Sequence, residues 1–137
     1  MEVLDVDGDV AHLVTTAKPF TVRFEFELSR VDRALCVGFD LASSDGTVLM
    51  RSYQTDGAEA QWPALCVGRN SIGCTIPAGL LNDGRYFVMP RVSLHYVRWI
   101  VNGDSVVSFE VHRDFGSSPL IGDRPGTIAP VLTWQHV

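Results

Sequence analysis

The segment FTVRFEFEL, Phe20–Leu28, alternates without a break: Phe20, Val22, Phe24, Phe26 and Leu28 fall on one side, Thr21, Arg23, Glu25 and Glu27 on the other. Successive side chains of an extended chain point to opposite faces, so this reads as a strand with one face in a core and one in water. The same period recurs wherever the sequence is legible, and no window holds the i, i+3, i+4 spacing of an amphipathic helix. A fold built from strands follows, in which each sheet needs a second layer to cover its apolar face.

The remaining strands are read in the same way. Leu35, Val37, Phe39 and Leu41 alternate with Cys36, Gly38 and Asp40, and Asp45-Gly46 then turns the chain back into Val48–Tyr53 as a hairpin. The return strand fits two registers, and the one adopted puts Arg51 and Tyr53 outward. A long connection, Gly57–Asn70, carries Trp62 and Pro63 and leads into Asn70, Ile72, Cys74 and Ile76 alternating with Ser71, Gly73 and Thr75. Pro77–Asp83 reads as a loop or short helical turn closed by Asn82-Asp83-Gly84. Val107, Phe109 and Val111 alternate with Ser108, Glu110 and His112, and Thr127–Trp134 reads as a terminal strand behind the hinge Asp123-Arg124-Pro125-Gly126. Seven or eight short strands in 137 residues predict one domain, 1–137, folded as an antiparallel β-sandwich of immunoglobulin-like or jelly-roll type, with a closed barrel as the alternative.

Composition narrows the function. The net charge is −5, and Lys18 is the only lysine beside ten arginines, so the basic stripe that a nucleic-acid backbone requires is missing. No apolar run reaches the roughly 20 residues that span a bilayer, and the acidic start MEVLDVDGDV does not resemble a secretory signal. A cytosolic chain, or a piece of a larger protein, with no direct membrane insertion is expected. Cys36, Cys66 and Cys74 are odd in number and lack CxxC spacing, which points to free thiols, with Cys74 in the core beside Ile72 and Ile76.

Catalytic motifs are missing: there is no GxSxG, HExxH, P-loop or GxGxxG. Gly103-Asp104-Ser105 is similar to an esterase nucleophile block but sits between late strands, where a polar turn explains it, and an esterase built on Ser105 ranks last. His12, His95, His112 and His136 are scattered; His95 and His112 could meet across neighbouring strands with Asp40 or Glu110, but no metal site is expected. DVDGDV lacks the later ligands of a calcium loop and reads as the turn ending a first short strand. No enzyme activity and no cofactor are expected.

One strand is bulky on both sides. In LLNDGRYFVMPRVSLHY, Tyr86, Val88, Pro90, Val92 and Leu94 form the core set, while Phe87, Met89, Arg91, Ser93 and His95 point away from it. Pro90 cannot donate to a ladder, so an edge or a bulge is expected there. With Greek-key pairing, Leu35–Leu41, Val48–Tyr53, Arg85–His95 and Val106–His112 share one sheet. Its outer face then gathers Asp40, Arg51, Tyr53, Phe87, Met89, Arg91, His95, Glu110 and His112, together with Cys36, Gly38 and Ser108. Apolar side chains offer a floor to sugar C–H faces, and Arg and Asp offer forked hydrogen bonds to hydroxyls. The competing explanation is a face covered by the Gly57–Asn70 connection or by a partner chain, making the domain a protein-interaction module without a sugar ligand.

The order of these segments resembles the C-terminal domain of Wzt, the ATP-hydrolysing subunit of O-antigen polysaccharide exporters. LLNDGRYFVMPRVSL is similar to its LL-x-G-x-Y element, and DVDGDV, PFTVRFEFEL, VGFDLASSDGTVL, VVSFEV and the closing GTIAPVLTW follow in its order, over roughly Val3–Trp134. The resemblance implies an immunoglobulin-like sandwich that binds the polysaccharide near its non-reducing end on the cytoplasmic side, peripheral to the inner membrane, and so selects the chain for an ABC transporter. It also implies an N-terminal ATPase module outside this chain, which alone would bind ATP and meet the transmembrane subunit, and a homodimer formed by exchange of the terminal strand. The family's sugar contacts vary with the polysaccharide, so the candidate residues rest on strand parity alone.

Overall fold

Phe20–Leu28 does become a strand, and its apolar face closes over a second sheet. The computed structural model describes residues 1–114, 120 and 122–136. Among them nine strands follow in order: β1 (Glu2–Leu4), β2 (Leu13–Thr15), β3 (Phe20–Leu28), β4 (Leu35–Ser43), β5 (Val48–Tyr53), β6 (Gly68–Ile76), β7 (Gly84–Leu94), β8 (Arg98–Asn102) and β9 (Val107–His112). One sheet has the order β1-β3-β6, the other β2-β9-β7-β4-β5, with β8 also on β7. Pairing is antiparallel except between β2 and β9, which run parallel. The strands form two open sheets, so the sandwich holds and the closed barrel does not.

The core lies between the sheets. Val22 and Phe24 from β3 and Ile76 from β6 face Val37, Phe39, Leu41, Tyr86, Val88, Phe109 and Val111 from the larger sheet, all buried. Phe109 sits 5.1 Å from Phe20 and 5.8 Å from Tyr86 between ring centroids, distances at which aromatic pairs attract beyond their buried area. Cys74 packs against this cluster, and burial pushes its thiol pKa up. The DVDGDV turn closes on Asp5, whose Oδ1 accepts from the backbone N–H groups of Asp7 and Asp9.

The LLNDGRY element is a clasp. The Tyr86 hydroxyl reaches the carbonyls of Asn82 at 2.9 Å and Thr127 at 3.1 Å. Buried Asn82 donates from Nδ2 to the carbonyls of Arg124 and Gly126 at 2.7 Å each, and its Oδ1 accepts from Arg113 Nη2 at 2.9 Å. A buried amide needs such partners, and here they fasten the hinge at residues 123–127 to the body of the domain.

Beyond that hinge the expected terminal strand does not form within the chain. Ile128 makes a single bridge to Leu81, and residues 129–136 pair with no strand. Extended backbone becomes a strand only beside a free edge, and this segment meets none among the described residues. Val131, Leu132 and Trp134 are exposed. Two short strands, β2 and β8, were not anticipated, since three to five residues carry too little alternation to register.

Pro90 is accommodated in a way the edge-strand rule does not cover. It lies mid-strand in β7, opposite Phe39 on β4, and its carbonyl accepts from the Gly103 N–H at 2.9 Å. A residue's N–H and C=O point to the same side of a strand, so the missing N–H of Pro90 faces the β8/β9 side. There β9 has ended its pairing at Val88–Val107 and β8 begins at Arg91–Asn102, leaving the turn at residues 103–106 in between. No ladder bond is lost, because the neighbouring strand is broken at that point. Ser105 lies exposed in the same turn.

Candidate functional site

Cross-strand register assembles the outer face of the larger sheet in rows. Tyr53, Gly38, Arg91 and Asn102 form one row; Arg51, Asp40 and Met89 the next; Ala42, Phe87 and Ser108 the third. Residues paired across strands share a face, so the register adopted for Val48–Tyr53 holds, and Arg51 and Tyr53 face outward with Asp40 and Arg91. Gly38 makes the first row possible. A Cβ there would lie 2.6 Å from Tyr53 Cδ1 and 2.1 Å from the Ser52 carbonyl oxygen, so the Tyr53 ring rests directly on backbone.

Asp40 organises the second row. It has no exposed surface, although it sits on the outer face, because two arginine side chains close over it. Arg51 binds it bidentately, Nε to Oδ1 at 2.5 Å and Nη2 to Oδ2 at 2.9 Å, and Arg91 Nε donates to Oδ2 at 2.8 Å. Hydrogen bonding from Arg51 and then Arg91 holds the Asp40 carboxyl below the usual carboxylate range against the upward push of burial, and the Arg51 pKa is raised in return. Arg91 also reaches Asn102 Oδ1, and its guanidinium carbon stands 6.0 Å from the centre of the Trp99 ring, within cation–π range. With both oxygens taken, Asp40 fixes two guanidiniums in place and offers nothing to a ligand.

Beside this triad opens a cleft of about 610 Å³, lined by Arg51, Tyr53, Ser93, His95, Arg98 and Trp99 among others. Its overhanging wall is the β7–β8 turn. Tyr96 there holds φ at 57°, a left-handed conformation uncommon outside glycine, and its ring centre lies 4.0 Å from that of His95. On the opposite side, Asp56 Oδ2 accepts from the Tyr53 N–H at 2.8 Å and the Ser52 hydroxyl at 3.1 Å, fixing the end of β5.

The nine predicted residues do not form one site. Arg51, Tyr53 and His95 line the cleft, and Asp40 and Arg91 support it. Phe87 and Met89 are half-buried mid-face. Glu110 and His112 lie toward the other end of β7: Glu110 pairs across from Arg85 and takes its guanidinium at 2.8 Å, which lowers the Glu110 pKa. From Arg85 to His95 is ten residue steps, roughly 33 Å of strand at the usual rise. The approach of His95 and His112 that strand neighbourhood alone allowed does not occur, because a central strand held in register keeps its two ends apart.

Trp99 and Arg98 were missed. Their segment, YVRWI, shows no alternation; only the pairing Ser93–Trp99 brings Trp99 to the outer face, and Arg98, opposite Leu94, lines the cleft at the end of the sheet. An aromatic ring next to an arginine between two strands was the available signal.

Neither a family model nor a curated protein matches the chain by sequence. By structure, the chain is similar to the crystal structure of the C-terminal domain of Wzt, with a TM-score of 0.64 and 14% identity over 99% of this chain and 80% of that one. At that identity the likeness shows a common fold.

Proposed function

We propose that this domain is a non-catalytic binding module for an O-antigen type polysaccharide, seated in the cleft beside the Arg51–Asp40–Arg91 triad. The observation that carries the reading is the combination in one cleft of ring faces from Tyr53 and Trp99 with guanidiniums held in fixed orientation. Sugars need both: apolar planes for their C–H faces and rigid hydrogen-bonding groups for their oxygens. The shared fold with the C-terminal domain of Wzt and the ordered sequence elements support the setting, that of a specificity domain in a polysaccharide exporter on the cytoplasmic side of the inner membrane. The ATPase module and the transmembrane subunit belong to that setting, outside this chain. Contact centres on Arg51, Tyr53, His95, Arg98 and Trp99, with Asp40 and Arg91 as positioning residues; Phe87 and Met89 extend the floor for a longer chain.

Assembly follows from the exposed tail. Val131, Leu132 and Trp134 are exposed on a segment whose backbone pairs with no strand, and a second copy's sheet edge would satisfy both. A homodimer through strand exchange is the arrangement we propose, and sedimentation of the chain with and without residues 129–137 tests it: a dimer that persists without the tail refutes it.

The binding reading is tested by titrating isotope-labelled protein with O-antigen polysaccharide from the source organism. Saturable amide shifts at Arg51, Tyr53 and Trp99, lost in Trp99→Ala, are expected. A flat titration would favour the protein-interaction module, for which the exposed Tyr96 and Val97 at the cleft provide apolar area.

A further inference from the structure

We infer that the cleft selects a saccharide bearing an oxyanion, a uronate carboxylate or a sugar phosphate, over a neutral sugar; this rests on the polysaccharide-binding reading and adds a substrate class to it. The reasoning is an inventory of donors and acceptors. A neutral sugar hydroxyl both donates and accepts, so a site built for it supplies carboxylate or amide oxygens as well as N–H groups. Here the carboxylate best placed to accept, Asp40, has no exposed surface and both oxygens bound by guanidiniums. The other carboxylate at the cleft, the exposed Asp56, has Oδ2 engaged by the Tyr53 N–H and the Ser52 hydroxyl, which leaves Oδ1 as the carboxylate oxygen open to a sugar hydroxyl.

Donors, by contrast, are in excess. Nε and Nη2 of Arg51 engage Asp40 and its guanidinium also meets the Tyr53 hydroxyl, which still leaves N–H groups over on a side chain that is 45% exposed. Arg98 lines the cleft and pairs with no carboxylate among the described residues. Trp99, 47% exposed, adds an indole N–H, a donor with no acceptor function. Among the residues of the triad and the cleft, the three guanidiniums of Arg51, Arg91 and Arg98 outnumber the two carboxylates of Asp40 and Asp56, on a chain of net charge −5. An acceptor-only group matches that excess. A carboxylate or phosphate can be forked by a guanidinium while the ring that carries it rests on Trp99 or Tyr53. Because Asp40 holds Arg51 rigid, little side-chain freedom is lost on binding.

The test uses the full chain and four probes: D-glucuronic acid, glucose 1-phosphate, glucose and inorganic phosphate, each followed by amide and indole N–H shifts. Both anionic sugars are expected to bind about tenfold tighter than glucose, with an advantage that shrinks at about 0.5 M salt. Arg98→Gln, at an exposed position without an ion-pair partner among the described residues, is expected to abolish most of that advantage while the protein stays folded. Glucuronate ahead of glucose 1-phosphate assigns a carboxylate, and the reverse assigns a phosphate. Glucose binding as tightly as either anion overturns the inference, as does an anion preference that survives Arg98→Gln, or inorganic phosphate binding as tightly as glucose 1-phosphate. If the cognate polysaccharide shifts the cleft but the anions show no preference, only this inference falls; if no saccharide shifts it, the binding reading falls with it.

Discussion

Arg51 grips Asp40 from the neighbouring strand with two parallel hydrogen bonds, Nε to Oδ1 at 2.5 Å and Nη2 to Oδ2 at 2.9 Å, and together with Arg91 leaves it no exposed surface. The pair is adjacent in register, β4 to β5, so its geometry is set by the ladder as well as by charge. Asp40→Asn keeps the shape but removes the charge that holds Arg51 and Arg91. A loss of about 2–3 kcal/mol in urea unfolding is expected, at the low end for a buried ion pair because Arg51 is partly solvated. Polysaccharide affinity should fall as well, since both guanidiniums lose their fixed orientation.

The same triad predicts an acid limb. Arg51 and Arg91 depress the Asp40 pKa in the folded state, so the unfolded chain binds that proton more tightly. Its contribution to stability is fully present above the unfolded carboxylate value, about 3.9, and is lost as pH falls through the lower folded value. Chemical unfolding between neutral pH and about pH 3 should show this decline, and Asp40→Asn should flatten it. An unchanged acid limb in the variant would assign the decline to other carboxylates.

Gly38→Ala inserts a Cβ 2.1 Å from the Ser52 carbonyl oxygen and 2.6 Å from Tyr53 Cδ1. Backbone cannot yield cheaply there, so β5 must shift, at about 2–3 kcal/mol. Because Tyr53 lines the cleft, sugar titrations on the folded fraction should weaken along with the thermal midpoint.

Trp99→Ala separates binding from stability. The ring is 47% exposed and outside the core, so unfolding free energy should change by less than about 0.5 kcal/mol. Affinity for the polysaccharide should fall about tenfold, the worth of one aromatic platform. A variant that binds as well as the parent would move the site elsewhere on the face.

Tyr86→Phe removes the hydroxyl that reaches the carbonyls of Asn82 and Thr127. The hydroxyl has one proton to share between them, so about 1 kcal/mol should go. The Asn82 N–H, which donates to the Thr127 carbonyl, should exchange faster with solvent if the clasp loosens the hinge.

Much of this was readable from the chain alone, for a local reason. Alternation with period two assigned Phe20–Leu28 without error, put Tyr86 and Val88 inward and Arg91 outward, and placed Arg51 on the side of Asp40. Side-chain direction in a strand is a property of the backbone, and burying one face makes the sequence record it. The shared sheet of Leu35–Leu41, Val48–Tyr53, Arg85–His95 and Val106–His112 likewise followed from hairpin turns and the usual Greek-key order.

Distance along the sheet and the partners of each polar group were decided only in three dimensions. Parity put Glu110, His112 and His95 on one face but could not say that they occupy opposite ends of it, because it carries no information about offset between strands separated by long connections. Nor could it show that Asp40, polar and outward, would be the least exposed residue of the candidate set, since its burial comes from arginines on two different strands. Trp99 reached the cleft through a short strand with no pattern of its own, and Pro90 found its place where a neighbouring strand breaks. Sequence fixes which way a side chain points; long-range pairing determines what it meets there, because that depends on which strands the whole core brings side by side.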